Sequence, residues 1–393
     1  MPLVSRRRFV TGLTASAALG GFLGELRPPD AFARDRRSAT ARILFNENPL
    51  GPSPKAVAAV EGGMDTLSRY PLGLGPQLVS GLRKRHGLAY DEAGGGLSLV
   101  PAAQPAGGPQ LALGVGSSEI LKAAASAYCS GGGNVVEPYP SYAAVGAAAQ
   151  RIPGANVERR MVPLDAEQRL DVRAMCEAID DATRIVVVCN PNNPTGTAIT
   201  TAEIESIIDA APPGALVLVD EAYIEFVDDD STTTAVPFTE AHDNVLVART
   251  FSKIFGLAGL RIGYGIGAAG VIERIEPYLL GSLSLNMPGA LGALAALDDE
   301  AHLKRTRELT RATQAAWRRA FHDVGWSMTP TKTCFCWVDV GTDCGPLVAF
   351  LAERGVLVSG GQRWDLPHFV RISTGTEEET DRLIAGVRAF ANA

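Results

Sequence analysis

Apolar residues run without interruption over positions 185–189, 216–219 and 245–247, and nearly so over 111–115. A short unbroken apolar run, in contrast to an alternating one, is the pattern of a parallel strand buried on both faces. The segment after the first run, residues 201–210, is amphipathic with helical spacing, and a helix is also expected over 120–128 behind the turn Gly116-Ser117-Ser118-Glu119. Strands alternating with helices predict an α/β fold, a large doubly wound and mostly parallel sheet whose ligand lies at the carboxyl ends of the strands. Further helices are expected over residues 55–64, 76–86, 271–279, 298–324, 346–354 and 376–390, and further strands over 260–265, 334–340 and 369–372. Residues 89–110, rich in Gly, Ala and Pro, read as a mobile surface loop.

The polar residues that end these strands carry the chemistry. The run 185–189 stops in Asn190-Pro191-Asn192-Asn193-Pro194-Thr195-Gly196, the run 216–219 in Asp220-Glu221-Ala222-Tyr223, and the run 245–247 in Arg249-Thr250-Phe251-Ser252-Lys253, with Arg261 eight residues further on. A lysine amine attacks a carbonyl only when its ammonium form is disfavoured, by burial or by a neighbouring positive charge. Arg261 offers a rigid fork for phosphate oxygens, and Thr250 and Ser252 offer hydroxyls. A phosphorylated cofactor with a carbonyl, held as a Schiff base, needs these groups, and pyridoxal phosphate fits. Its ring stores electrons only while the ring nitrogen stays protonated, which calls for a buried carboxylate such as Asp220. Asn193 and Tyr223 are placed to donate to its phenolate oxygen. Ser117 and Ser118, at a helix start with free N–H groups, form an anion site or an ordinary cap. Tyr142, in Pro138-Tyr139-Pro140-Ser141-Tyr142, is an aromatic ring at a strand-to-helix turn and either stacks on a flat ligand or simply packs.

Composition narrows the class. The chain has 393 residues, 46% hydrophobic and 20% charged, with a formal net charge of -7 and a pI near 5.4, which argues against a nucleic-acid partner. Ser5-Arg6-Arg7-Arg8-Phe9-Val10, an apolar stretch to Leu23 and the Ala31-Phe32-Ala33 tripeptide resemble a twin-arginine export signal over residues 1–33, which predicts a periplasmic or secreted protein, cytoplasmic where the signal is not used. The spacing of the six cysteines supports small buried side chains over a disulfide framework, and no His/Cys cluster has metal-ligand spacing, so no metal is expected. The Gly265-Ile266-Gly267-Ala268-Ala269-Gly270 run has the glycine spacing of a dinucleotide site, but no acid stands about twenty residues on, and close helix–strand packing suffices to explain it.

Taken in order, NENPLGPSP, RYP, GSSE, PSY, PNNPTG, VDEAYIEF, RTFSKIFGLAGLRIGY and VRISTGT resemble the class I/II pyridoxal-phosphate aminotransferases, most of all the histidinol-phosphate aminotransferases, over nearly all of residues 41–390. The resemblance implies the fold-type I architecture, with a large cofactor domain (70–287) and a small domain (288–393) joined by residues 34–69. It implies that Lys253 is the Schiff-base lysine and the proton-moving base, that Asp220 pairs with the pyridinium nitrogen, and that Asn193 and Tyr223 hold the phenolate oxygen while Tyr142 stacks on the ring. Ser117, Ser118, Thr250, Ser252 and Arg261 would hold the phosphate, with Tyr70 reaching across from the second subunit of a homodimer. Arg371 and Asn48 would meet the substrate, an amino donor or a 2-oxo acid. The chain departs from the histidinol-phosphate pattern in two places: Ser359 stands where those enzymes carry an arginine, and Val145 where they carry a second tyrosine. An aminotransferase for another aromatic or other L-amino acid, or a lyase or decarboxylase on the same fold, therefore stays open beside the histidinol-phosphate reading.

Overall fold

The computed structural model describes residues 40–89 and 108–393. The expected export signal and most of the expected 89–110 loop lie outside these residues.

A short strand, β1 (Ala41–Arg42), precedes the seven strands of the main sheet: β2 (Gln110–Val115), β3 (Gly133–Tyr139), β4 (Val157–Pro163), β5 (Thr183–Cys189), β6 (Leu216–Asp220), β7 (Val245–Thr250) and β8 (Ile262–Gly267). They lie in the order β2-β8-β7-β6-β5-β3-β4, with β8 antiparallel to both neighbours and every other pair parallel. The unbroken apolar runs form its centre. Val186, Val188, Val217 and Val219 pack on one face against Ile204, Ile207 and Ile208 of the helix Thr201–Ala210. Ile185, Val187, Leu216 and Leu218 pack on the other, against Ile120, Leu121 and Ala124 of the helix Ser117–Cys129. Each strand thus buries both sets of its alternating side chains, and each buried Val, Leu or Ile contributes on the order of 1.5–3 kcal/mol.

The C-terminal part adds β9 (Ser327–Met328), β10 (Phe335–Asp339), β11 (Val356–Leu357), β12 (Ser359–Gly360) and β13 (Phe369–Ser373). Four of these form an antiparallel sheet in the order β12-β13-β10-β9, while β11 pairs in parallel with β1 and so ties the start of the described chain to its end. All six cysteines are unpaired and five of them are buried.

Helix ends follow their caps. The expected helix 376–390 is Glu377–Ala391, closed by a reciprocal capping box between Thr376 and Glu379, and 55–64 is Pro54–Gly62, capped by Ser53. Two elements were hidden from the hydrophobic pattern. The helix Met287–Leu297, capped by Asn286, is apolar all round because it packs between the helices Pro54–Gly62 and Leu74–Arg85, so it lacks the polar stripe that betrays a helix. The expected helix 298–324 starts later, at Glu300, where Asp299 caps it. At the sheet edge, β4 carries Arg159 and Arg160 and has no apolar run. The glycines of residues 265–270 serve packing: a Cβ on Gly265 would come within 2.9 Å of the Ile120 side chain.

Candidate active site

The polar ends of β5, β6 and β7 are neighbours because those strands are adjacent and parallel, and the site is assembled there. Asp220, the last residue of β6, is 4% exposed, and its carboxylate accepts the Ala222 N–H at 3.2 Å. Among the described residues no Lys, Arg or His nitrogen lies within 4.0 Å of it, so this buried carboxylate has no ion-pair partner among them. Burial pushes its pKa up to about 6, against the Ala222 hydrogen bond and the charge of Lys253.

Lys253 sits in the bend after β7. Its Nζ lies 3.3 Å from both the Phe45 and the Asn46 carbonyl oxygens and 5.6 Å from the centre of the Tyr223 ring. Burial lowers its pKa, and the charges of Arg371 and Arg261 act in the same sense. The amine is therefore more readily freed of its proton than a surface lysine.

Tyr223 is 3% exposed, meets Phe335 edge-on, and its hydroxyl accepts from Asn46 Nδ2 at 3.0 Å; burial raises its pKa. The Oδ1 of Asn193 accepts from Arg371 at 2.6 Å, which leaves the Asn193 amide nitrogen without a partner among the described residues. Arg371, in β13, also donates to the Leu44 carbonyl at 2.7 Å, and its buried Nε has no acceptor among the described residues. Burial lowers its pKa to about 10. Tyr142 is 40% exposed.

A second cluster lies at the start of the helix Ser117–Cys129, whose N-cap is Gly116 at φ 72° with no side-chain cap. The Ser117 and Ser118 N–H groups and hydroxyls have no hydrogen-bond partner among the described residues, while the Glu119 N–H reaches the Gly116 carbonyl. Arg261, held in the left-handed region at φ 51°, donates to Ser252 Oγ at 3.1 Å, and Thr250 Oγ1 donates to the same oxygen at 2.9 Å. The Arg261 carbonyl accepts the Gly116 N–H at 3.1 Å, and Gly263 leaves room for the backbone of Gly116 and Ser117 to lie directly on β8. The hydroxyls of Ser117, Ser118, Thr250 and Ser252, a guanidinium and a helix N-terminus thus form an anion cradle.

Two expected site residues behave differently. Tyr70 is 71% exposed, and its hydroxyl has no hydrogen-bond partner among the described residues. The Asn48 carboxamide is engaged by the chain itself: it donates to the Ile254 carbonyl at 2.8 Å and to Thr306 at 3.1 Å, and accepts the Leu50 N–H at 3.0 Å. Asn46, which the sequence reading passed over, is 1% exposed and left-handed at φ 57°. Its Oδ1 accepts from Ser373 at 2.8 Å while its Nδ2 reaches Tyr223. The only local signal was an asparagine in a proline-punctuated loop, a residue that tolerates that backbone region.

The expected cofactor fits this donor set. An unpaired buried carboxylate suits a protonated ring nitrogen, free donors at Asn193 and Tyr223 suit a phenolate oxygen, and the open helix start with Arg261 suits a phosphate.

The family model described as aminotransferase class I and II matches residues 105–387. The chain is 37% identical over 365 residues to histidinol-phosphate aminotransferase 2 of Pseudomonas aeruginosa, covering 91% of this chain and 92% of that protein. To the histidinol-phosphate aminotransferase of Symbiobacterium thermophilum it is 35% identical over 352 residues, covering 88% and 90%. Among solved structures, the histidinol-phosphate aminotransferase of Sinorhizobium meliloti in complex with pyridoxal-5'-phosphate superposes with a TM-score of 0.76 at 25% identity, covering 89% of this chain and 91% of that one.

Proposed function

The chain belongs to the class I and II aminotransferases, which depend on pyridoxal phosphate, and within that family we propose that it moves an amino group between a histidinol-phosphate-type amino donor and a 2-oxo acid such as 2-oxoglutarate. The observation that carries the reading is Asp220, a buried carboxylate with no ion-pair partner among the described residues, within the field of Lys253, whose ammonium form is disfavoured.

When bound, pyridoxal phosphate supplies an electron sink for the substrate carbon. Lys253 would hold the cofactor covalently through Nζ and, once displaced by the substrate amine, move the proton that the reaction shifts. Asp220 would keep the ring nitrogen protonated. Asn193 and Tyr223 would donate to the ring oxygen, and Tyr142 would cover the ring face. Ser117, Ser118, Thr250, Ser252 and Arg261 would hold the phosphate. Arg371, with an unsatisfied Nε, would grip an anionic group of the substrate, and Asn48 would act on the substrate through the N-terminal loop that it ties to Ile254 and Thr306.

The reading includes a homodimer in which Tyr70 completes the phosphate site of the partner, in keeping with its exposure and with that of Met64, Leu280 and Leu283. It divides the chain into a large cofactor domain (70–287) and a small one (288–393 with 34–69), and it includes export through the twin-arginine signal to the periplasm or beyond.

Absorption spectra of the purified protein test the assignment, with L-glutamate, histidinol phosphate and a panel of amino acids added one at a time. A visible band that bleaches with histidinol phosphate and with glutamate, with matching 2-oxo acid formation, is expected. A band that only other donors bleach would overturn the histidinol-phosphate assignment and leave the transaminase standing.

A further inference from the structure

The loop after β5 carries three asparagines with three different duties. Asn190 closes the loop on itself, donating to the Ile199 carbonyl at 3.1 Å and accepting the Ile199 N–H at 2.9 Å. Asn193 turns toward Arg371 and the crevice. Asn192 lies between them, 0% exposed, and no atom of it faces the crevice.

Every hydrogen-bonding group of Asn192 is used. Its Nδ2 donates to the Pro140 carbonyl at 3.1 Å and to Thr195 Oγ1 at 2.9 Å, and its Oδ1 accepts from Ser141 Oγ at 2.7 Å. Its backbone N–H reaches the Thr197 carbonyl at 2.8 Å, and its carbonyl accepts the Gly196 N–H at 2.9 Å. Two of the three side-chain bonds therefore go to Pro140 and Ser141, the residues that lead directly into Tyr142, while the third goes to the loop that carries Asn193. A carboxamide has the two donors and one acceptor this position needs. Aspartate would set a charge against the Pro140 carbonyl, and leucine would take the bonds of Pro140 and Ser141 away, while Thr195 keeps its bond to Thr197.

We propose that Asn192 is a positioning residue that locks the Tyr142 loop to the Asn193 loop and so fixes the slot into which the cofactor ring fits. The proposal rests on the reading that Tyr142 and Asn193 meet that ring. Its consequence is that the tilt of the ring depends on a side chain that never touches it, because the stacking group and the ring-oxygen donor come from different strands and the Asn192 carboxamide joins their two loops directly.

The test compares wild type with Asn192→Ala and with Ser141→Ala, which removes one of the three Asn192 side-chain bonds. Three quantities are measured: the thermal midpoint of the apoprotein, the dissociation constant for pyridoxal phosphate titrated into it, and the circular dichroism of the bound cofactor's visible band. The expected result is a dissociation constant raised about tenfold in Asn192→Ala, the scale of one buried acceptor losing its donor, with a changed dichroism per bound cofactor and a smaller change in the same sense for Ser141→Ala. Unchanged affinity and dichroism, with a lowered midpoint only, would overturn the proposal and leave Asn192 a packing residue. Should Asn192→Ala fail to fold, Ser141→Ala decides alone by the same two readouts. Tyr142→Ala and Asn193→Ala are run alongside: if neither weakens cofactor binding, the reading of the ring site fails, whereas if both do and Asn192→Ala does not, the positioning proposal alone fails.

Discussion

Asn46 Nδ2 donates to the Tyr223 hydroxyl at 3.0 Å, and the carbonyl of the same asparagine stands 3.3 Å from Lys253 Nζ. One residue of the N-terminal loop thus sets both the tyrosine and the lysine of the site, 177 and 207 positions further along the chain. Replacing it should cost twice: an alanine loses the bonds to Tyr223 and Ser373, and it must take a left-handed backbone that asparagine tolerates better. Asn46→Ala is expected to lower the stability of the apoprotein by about 1–3 kcal/mol in urea titrations and to reduce turnover. Wild-type values for both would refute the linkage.

Lys253→Ala removes the amine while leaving Asp220 and the anion cradle in place. Turnover should fall by about 10²–10⁴-fold or more, while pyridoxal phosphate still binds. After borohydride treatment, intact mass should show the cofactor fixed to the wild-type chain and absent from the variant. Retention of full activity would remove Lys253 from the mechanism.

Burial raises Asp220 from 3.8 to about 6. In the unfolded chain the group ionises near its ordinary value, so the folded apoprotein binds the extra proton between about pH 4 and pH 6. The stabilisation this group contributes is complete below that window and is lost as pH rises through it, by an amount on the order of 3 kcal/mol. Thermal melts of the wild-type apoprotein should therefore fall relative to Asp220→Asn between pH 4 and pH 6 and keep a constant gap above. A gap that stays level across the window would show that Asp220 titrates as an ordinary surface carboxylate.

Arg261 shares the Ser252 hydroxyl with Thr250 and lies beside the open helix start at Ser117. Loss of its guanidinium in Arg261→Ala should raise the dissociation constant for pyridoxal phosphate by about 10–100-fold, with a far smaller effect on pyridoxal, which lacks the phosphate. Equal losses for both ligands would place the phosphate elsewhere.

Much of the sheet was legible because its cause is local. Residues 185–189, 216–219 and 245–247 are apolar on both alternating sets, and the structure buries both in β5, β6 and β7. Thr376 with Glu379, and Ser53 before Pro54, were readable as helix starts for the same reason: a cap is made within one turn. The helix Met287–Leu297 was not, because its apolar surface on every side is explained only by the helices that enclose it.

The sequence by itself determined the α/β class, the order of the central strands and helices, and the presence of Asp220, Lys253 and Arg261 at strand ends and turns. Those follow from periodicity, capping and residue chemistry, which act over a few positions. Only the tertiary structure decided that Asn46 reaches Tyr223 and Lys253, that Asn48 is spent on Ile254 and Thr306, and that Asn192 rather than Asn193 ties the Tyr142 loop in place. Each of these joins segments far apart in the chain, and the pairing is set by how the sheet and helices pack, where no local pattern leaves a trace.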